Sequence, residues 1–163
     1  MADIANADIK RFRPVIEEQY LRELNTAVGL FAHGVGIGSF VYLRRVFEKL
    51  IYDERDTARA AGEALEGFET ARFKEKIEAL KHRLPPALVK HQAAYSVLSV
   101  GIHDLDEQTC LKYFPVLKAV IILILEDHLQ AKKKKAAEEE LNRALQVANQ
   151  EVAATKDQGK RAT

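Results

Sequence analysis

The sequence predicts an all-α fold, an antiparallel bundle of about five helices with an extended C-terminal helix, on three observations. Apolar residues recur at helical spacing through most of the 163 positions. Glycine and proline punctuation separates these periodic stretches. Apolar residues make up 47% of the chain, with four prolines and no tryptophan, which supplies the core of one domain and not of two.

Residues 1–13 are polar and charged and read as a flexible N-terminus. Pro14 suits the first turn of a helix, in which Val15, Ile16, Tyr20, Leu24, Ala27, Val28 and Phe31 recur at helical spacing. That helix is expected to stop at His33-Gly34-Val35-Gly36-Ile37-Gly38, because three glycines in five residues disfavour regular helix. A second helix follows, with Phe40, Val41, Leu43, Val46, Phe47, Leu50 and Ile51 as a broad apolar face. Its continuation from Asp53 to Ala64 is charged and alanine-rich, and is expected to fray or project before a loop near Gly62 and Gly67. Phe73, Ile77, Leu80 and Leu84 form the stripe of a third helix.

Pro85-Pro86 breaks the chain and starts a fourth helix, with Leu88, Val89, Ala93, Tyr95, Val97 and Leu98 inward and Gly101 as its C-cap. Asp104 or Asp106 then caps a fifth helix beginning near Glu107. Pro115 removes one ladder hydrogen bond and is expected to kink or divide this helix. Val116 to Leu125 is apolar nearly all round, so this is expected to be the most buried helix. Residues 130–154 read as a charged, solvent-exposed helical extension. Its thin stripe of Leu141, Leu145, Ala148 and Val152 is suited to pairing with a copy of itself. Residues 155–163 read as a disordered tail.

Twenty-five Lys and Arg against 24 Asp and Glu leave a net charge of +1, which gives no global attraction to nucleic acid or an anionic membrane. Residues 130–163 hold eight basic and five acidic side chains, but the lysines there are interleaved with glutamates, a weak basis for holding phosphates. The lone Cys110 excludes an internal disulfide and a cysteine-built zinc site, and reads as a small buried hydrophobe. No apolar leader opens the chain, and the strongest apolar run, Ala119 to Leu125, falls short of the roughly 20 residues that span a bilayer. A cytoplasmic protein without membrane contact is expected.

Three constellations could carry chemistry. Gly34, Gly36 and Gly38 precede a helix, so their amides could form an anion-binding nest at its positive end. With His33 beside the turn, and Ser99 elsewhere, they make up the candidate ligand-binding set of a small-ligand or nucleotide sensor. No strand precedes them, no acid is placed for a ribose and no Lys-Ser/Thr pair follows, so nucleotide fingerprints fail. A tight turn that lets two helices approach is the plainer reading. Arg44 and Glu48 lie one turn apart on one helix face, with Arg45 beside them, either as a surface ion pair or as the wall of a polar cleft. His103, between Gly101 and Asp104 at an interhelical turn, is the histidine best placed for acid–base chemistry. His82, His91 and His128 sit on helices, and no histidine forms a His-x-x-His or Glu-x-x-His pair, so neither a metal nor a cofactor is expected.

Two stretches, Leu43-Arg44-Arg45-Val46-Phe47-Glu48 and Leu98-Ser99-Val100-Gly101-Ile102-His103, resemble the HEPN superfamily, in particular its bacterial domains of unknown function in defence and toxin settings. The resemblance covers roughly residues 15–129 and implies a HEPN-like helical domain over 14–129. It further implies a homodimer and, for active members, metal-independent endoribonuclease activity. In that chemistry a histidine handles the ribose 2′-hydroxyl proton while an arginine stabilises charge on the phosphate. His103 matches the histidine position. The arginine position is not matched, since neither arginine nor lysine lies between Lys90 and His103. The expected function is therefore a dimerising, non-catalytic interaction module with a possible protein partner. The alternative is an endoribonuclease acting on RNA through His103, with Arg44 or Arg45, Glu48 and Asp104.

Overall fold

The computed structural model describes residues 8–90 and 104–161. Among these the fold is all-α, with five helices: α1 (Glu18–Ala32), α2 (Gly36–Ala60), α3 (Phe73–Ala79), α4 (Pro86–Lys90) and α5 (Glu107–Arg161), preceded by a 3₁₀ turn at Lys10–Phe12. The chain divides into two compact units, residues 1–127 and 128–163. The expected Gly101 cap and the inward positions Ala93, Tyr95, Val97 and Leu98 lie outside the described residues, as do Ser99 and His103.

In the first unit, residues 8–13 are not a loose end. Ile9 and Phe12 are buried, and the Arg11 guanidinium covers the Phe12 ring at 4.5 Å from its centroid while pairing with Glu126 on α5. Two apolar residues three positions apart are a small stripe, easily outvoted by the charges around them when read by composition. Pro14 lies in a turn, where the Val15 amide donates to the Phe12 carbonyl at 2.9 Å. Consequently α1 starts at Glu18, one turn later than proline placement suggested.

Gly34 ends α1 in the left-handed region, φ 75°. Its amide donates to Phe31 and that of Val35 to Leu30, at 2.9 and 3.0 Å. This pairing satisfies the last carbonyls of α1 and needs a residue without a Cβ penalty at the turn. The connection is short enough to fold α2 back against α1. On α2, Phe40, Leu43, Val46, Phe47, Leu50 and Ile51 are all buried, one face at helical spacing. The face continues beyond the expected fraying point, with Glu54 and Ala58 buried as well, so the last turns of α2 are packed.

What covers the end of α2 is a set of side-chain ties that span the sequence. The Glu63 carboxylate accepts from Arg83 Nε and Nη2 at 2.9 and 2.7 Å and meets His82 Nε2 at 2.8 Å. Lys76 is buried, donates to the Tyr52 hydroxyl at 2.9 Å and lies over the Phe68 ring at 5.6 Å. Arg55 donates to Glu69 at 2.9 Å. Each tie brings a loop or α3 residue back to the α2 end, and no local periodicity encodes it.

The hydrogen bonds from Arg83, helped by His82, hold the Glu63 carboxyl below its usual 4.5. A carboxylate with a depressed folded-state pKa stabilises the fold above its unfolded value and loses that contribution as pH falls through the folded one. The stability of Glu63→Gln should therefore fall less steeply than that of the unmodified protein as pH drops below 4.5. Urea titrations at a series of acid pH values measure this, and parallel curves would refute it.

Asp106 caps α5. Its carboxylate accepts from the Thr109 amide at 2.8 Å and the Thr109 hydroxyl at 2.6 Å, the geometry of a side-chain N-cap. These bonds, the hydroxyl's first, hold the Asp106 carboxyl below its usual value. α5 runs undivided through Pro115. Its inner face, Cys110, Phe114, Leu117, Ile121, Ile124 and Leu125, is buried, and burial pushes the Cys110 thiol pKa up. The outer face is a different matter. Val116 and Leu123 are 47% and 43% exposed, so α5 is not buried all round.

The second unit, taken by itself, is helical through Arg161. The Thr155 hydroxyl donates to the Glu151 carbonyl at 2.9 Å within that helix, and residues 155–161 continue it. Positions 130–159 are all exposed, including the stripe residues Leu141, Leu145 and Val152.

Candidate functional site

Arg44, Arg45 and Glu48 occupy the middle of α2. Arg44 Nε donates to Glu48 Oε1 at 2.9 Å, the expected one-turn pair. Arg45 turns instead to α1, where Nη2 lies 2.8 Å from Glu23 Oε1. Next to it, Lys49 pairs with Glu17 at 3.1 Å and with Asp53. Burial works against the Lys49 ammonium, but hydrogen bonds to Asp53 and Glu17 outweigh it and raise its pKa above the usual lysine value. Tyr20, Arg45, Glu48, Lys49 and Tyr52 together line a polar cleft of about 270 Å³ between α1 and α2.

The chemistry of this cleft is that of a neutralised seam. Arg45 and Lys49, its two lining cations, already answer to carboxylates. A phosphate entering there would have to displace Glu23 or Glu17 and would meet the Glu48 carboxylate beside it. Tyr20, Lys49 and Tyr52 were not legible as cleft residues, because their convergence depends on how α1 and α2 pack. Asp104 is exposed three positions ahead of α5, and among the described residues it makes no ion pair to Arg44 or Arg45. His103 and Ser99 lie outside the described residues, so four of the five proposed catalytic residues are placed, and three of those four share one helix.

The glycine turn has an occupant of its own. The Ile37 amide at the start of α2 donates to Glu107 Oε2. A Cβ on Gly36 would lie 2.5 Å from the Glu107 carbonyl oxygen and 2.6 Å from its carboxylate. The positive end of α2 is thus met by a carboxylate of this chain, 70 residues away in sequence. Gly36 and Gly38 lie inside the first turn of α2, not before it. The anion nest drawn from sequence is thereby a helix-to-helix contact, and His33 is an exposed C-cap residue whose amide closes the last turn of α1. Among the described residues no group of three or more His, Cys, Asp and Glu is placed to hold a metal.

A second concavity was missed by reading motifs. Val28 and Phe31 of α1, with Phe114, Pro115, Lys118, Ala119, Ile122 and Leu123 of α5, line an open apolar groove of about 560 Å³. Phe31 and Phe114 floor it as a stacked pair, centroids 4.2 Å apart and planes within 8°. The signal available in sequence was the α5 stretch itself, apolar on more sides than a small bundle covers. One 18-residue stretch of α5 has a mean hydropathy of 1.6, enough by length and composition to cross a membrane, and 39% of it is buried.

Fold and site together define an all-helical protein with an open apolar groove between α1 and α5 and a polar cleft between α1 and α2. Against protein families, curated proteins and solved structures, the chain matches none.

Proposed function

We propose that this protein is a HEPN-like helical interaction module that works as a homodimer without catalysis of its own, in the cytoplasm, in a bacterial defence or toxin-type setting. The observation that carries the reading is the outer face of α5, where Val116 and Leu123 stand in water beside the groove floored by Phe31 and Phe114. Apolar area left in contiguous patches favours association, at about 25 cal/mol per Å² removed from water. A protein contact uses that face without inserting α5 into a bilayer, and insertion would require the bundle to release the buried inner face. The non-catalytic part rests on Arg44 and Arg45, each engaged with a glutamate.

Light scattering at micromolar concentration tests it, with an expected mass of twice 18.3 kDa. A monomer would defeat the proposal. The same preparation, incubated with mixed RNA in EDTA, is expected to leave the RNA intact. Cleavage that disappears in His103→Ala would replace the non-catalytic reading with the endoribonuclease one.

A further inference from the structure

The outer face of α5 carries its own instructions for a partner. Lys112, Val116, Ala119, Leu123 and Asp127 follow one another at spacings of three or four and are all exposed, so they form one stripe. A cation stands at one end, an acid at the other, apolar residues lie between, and the smallest side chain is in the middle. Neither Lys112 nor Asp127 makes an ion pair among the described residues. Lys112 lies over the neighbouring Tyr113 ring at 5.5 Å from its centroid.

We propose that this stripe is a self-complementary docking face for a second copy of the chain, with the two α5 helices antiparallel about a two-fold axis between Ala119 and Val120. The inference rests on the homodimer reading and specifies its interface. That register sets Lys112 opposite Asp127 of the second copy, and Val116 opposite Leu123, each twice by symmetry. Parallel pairing would instead place lysine against lysine and aspartate against aspartate, which costs affinity. Ala119 at the crossing lets the helix axes approach to the about 8–10 Å of a close helix pair. The groove beside it, with Ile122 on its wall, is open to receive side chains of the second copy.

Charge reversal and cross-linking test the register. In sedimentation at low salt, Lys112→Glu and Asp127→Lys should each weaken dimerisation about tenfold, since each puts like charges together twice. The double variant should recover most of the loss. Ala119→Cys should form a disulfide with its copy on mild oxidation. Cys110 is fully buried and does not compete. A dimer indifferent to both single reversals, or one in which Ala119→Cys stays reduced, overturns this interface and leaves the homodimer reading standing. A monomer at every concentration overturns both.

Discussion

Phe12→Ala should destabilise the protein by about 3–5 kcal/mol, the usual cost of truncating a fully buried phenylalanine. The residue sits six positions ahead of α1, in a stretch whose composition is that of a loose terminus, and yet its side chain is completely buried. Removing the ring empties space that the surrounding helices of the first unit cannot easily refill, and it strips the Arg11 guanidinium of its partner surface. Against a total stability of about 5–15 kcal/mol, the loss is a large fraction. Urea denaturation should show a much lower midpoint with an unchanged slope. Arg11→Ala is the matched control: its side chain is 42% exposed and its ion pair with Glu126 lies at the surface, so it should cost under about 1 kcal/mol. A Phe12→Ala loss as small as the control's would mean that the segment is held only weakly.

Gly36→Ala should cost about 1–3 kcal/mol, the range for forcing atoms into a packed contact. The new methyl would stand 2.5 Å from a backbone oxygen of Glu107 and 3.0 Å from Leu111 Cγ. A side chain could swing away, but the carbonyl belongs to the first turn of α5, so the helix itself has to move. The shift would also loosen the hydrogen bond from the Ile37 amide to the Glu107 carboxylate, exposing the positive end of α2. Gly29→Ala supplies the contrast. It sits inside α1 with nothing within 4 Å of its would-be Cβ, and should stabilise by about 0.5–1 kcal/mol through helix propensity alone. Thermal unfolding of the two variants should move in opposite directions, and a neutral Gly36→Ala would dismiss the close approach.

Much of the candidate site was legible only where partners are near in sequence. The Arg44–Glu48 pair is one turn of one helix and could be read directly. Arg45 could be placed beside it, but not matched to Glu23, because that pairing depends on the angle at which α1 lies on α2. The glycine cluster was legible as a turn, and Gly34 serves as one. Its other reading, an anion nest, meets a competitor that no local pattern contains: the Glu107 carboxylate, delivered by α5, accepts from the Ile37 amide. The apolar groove was hidden in the same way, since half of its floor comes from Phe31 and half from Phe114.

The sequence by itself determined the helical class, a glycine turn closing α1 and an aspartate cap on α5, while leaving that cap between Asp104 and Asp106. These depend on backbone sterics and on hydrogen bonds between residues a few positions apart, so a short window contains all the partners. It also determined that Val116 to Leu125 of α5 would be apolar nearly all round. The tertiary structure alone decided that residues 9 and 12 are core, that α2 stays packed through Ala58 and that Glu107 meets the start of α2. It also decided which side of α5 is left to water. Each of those outcomes is set by burial between segments far apart in the chain, where the free energy comes from area removed from water and ion pairs closed across a contact. Such gains exist only after the helices have met.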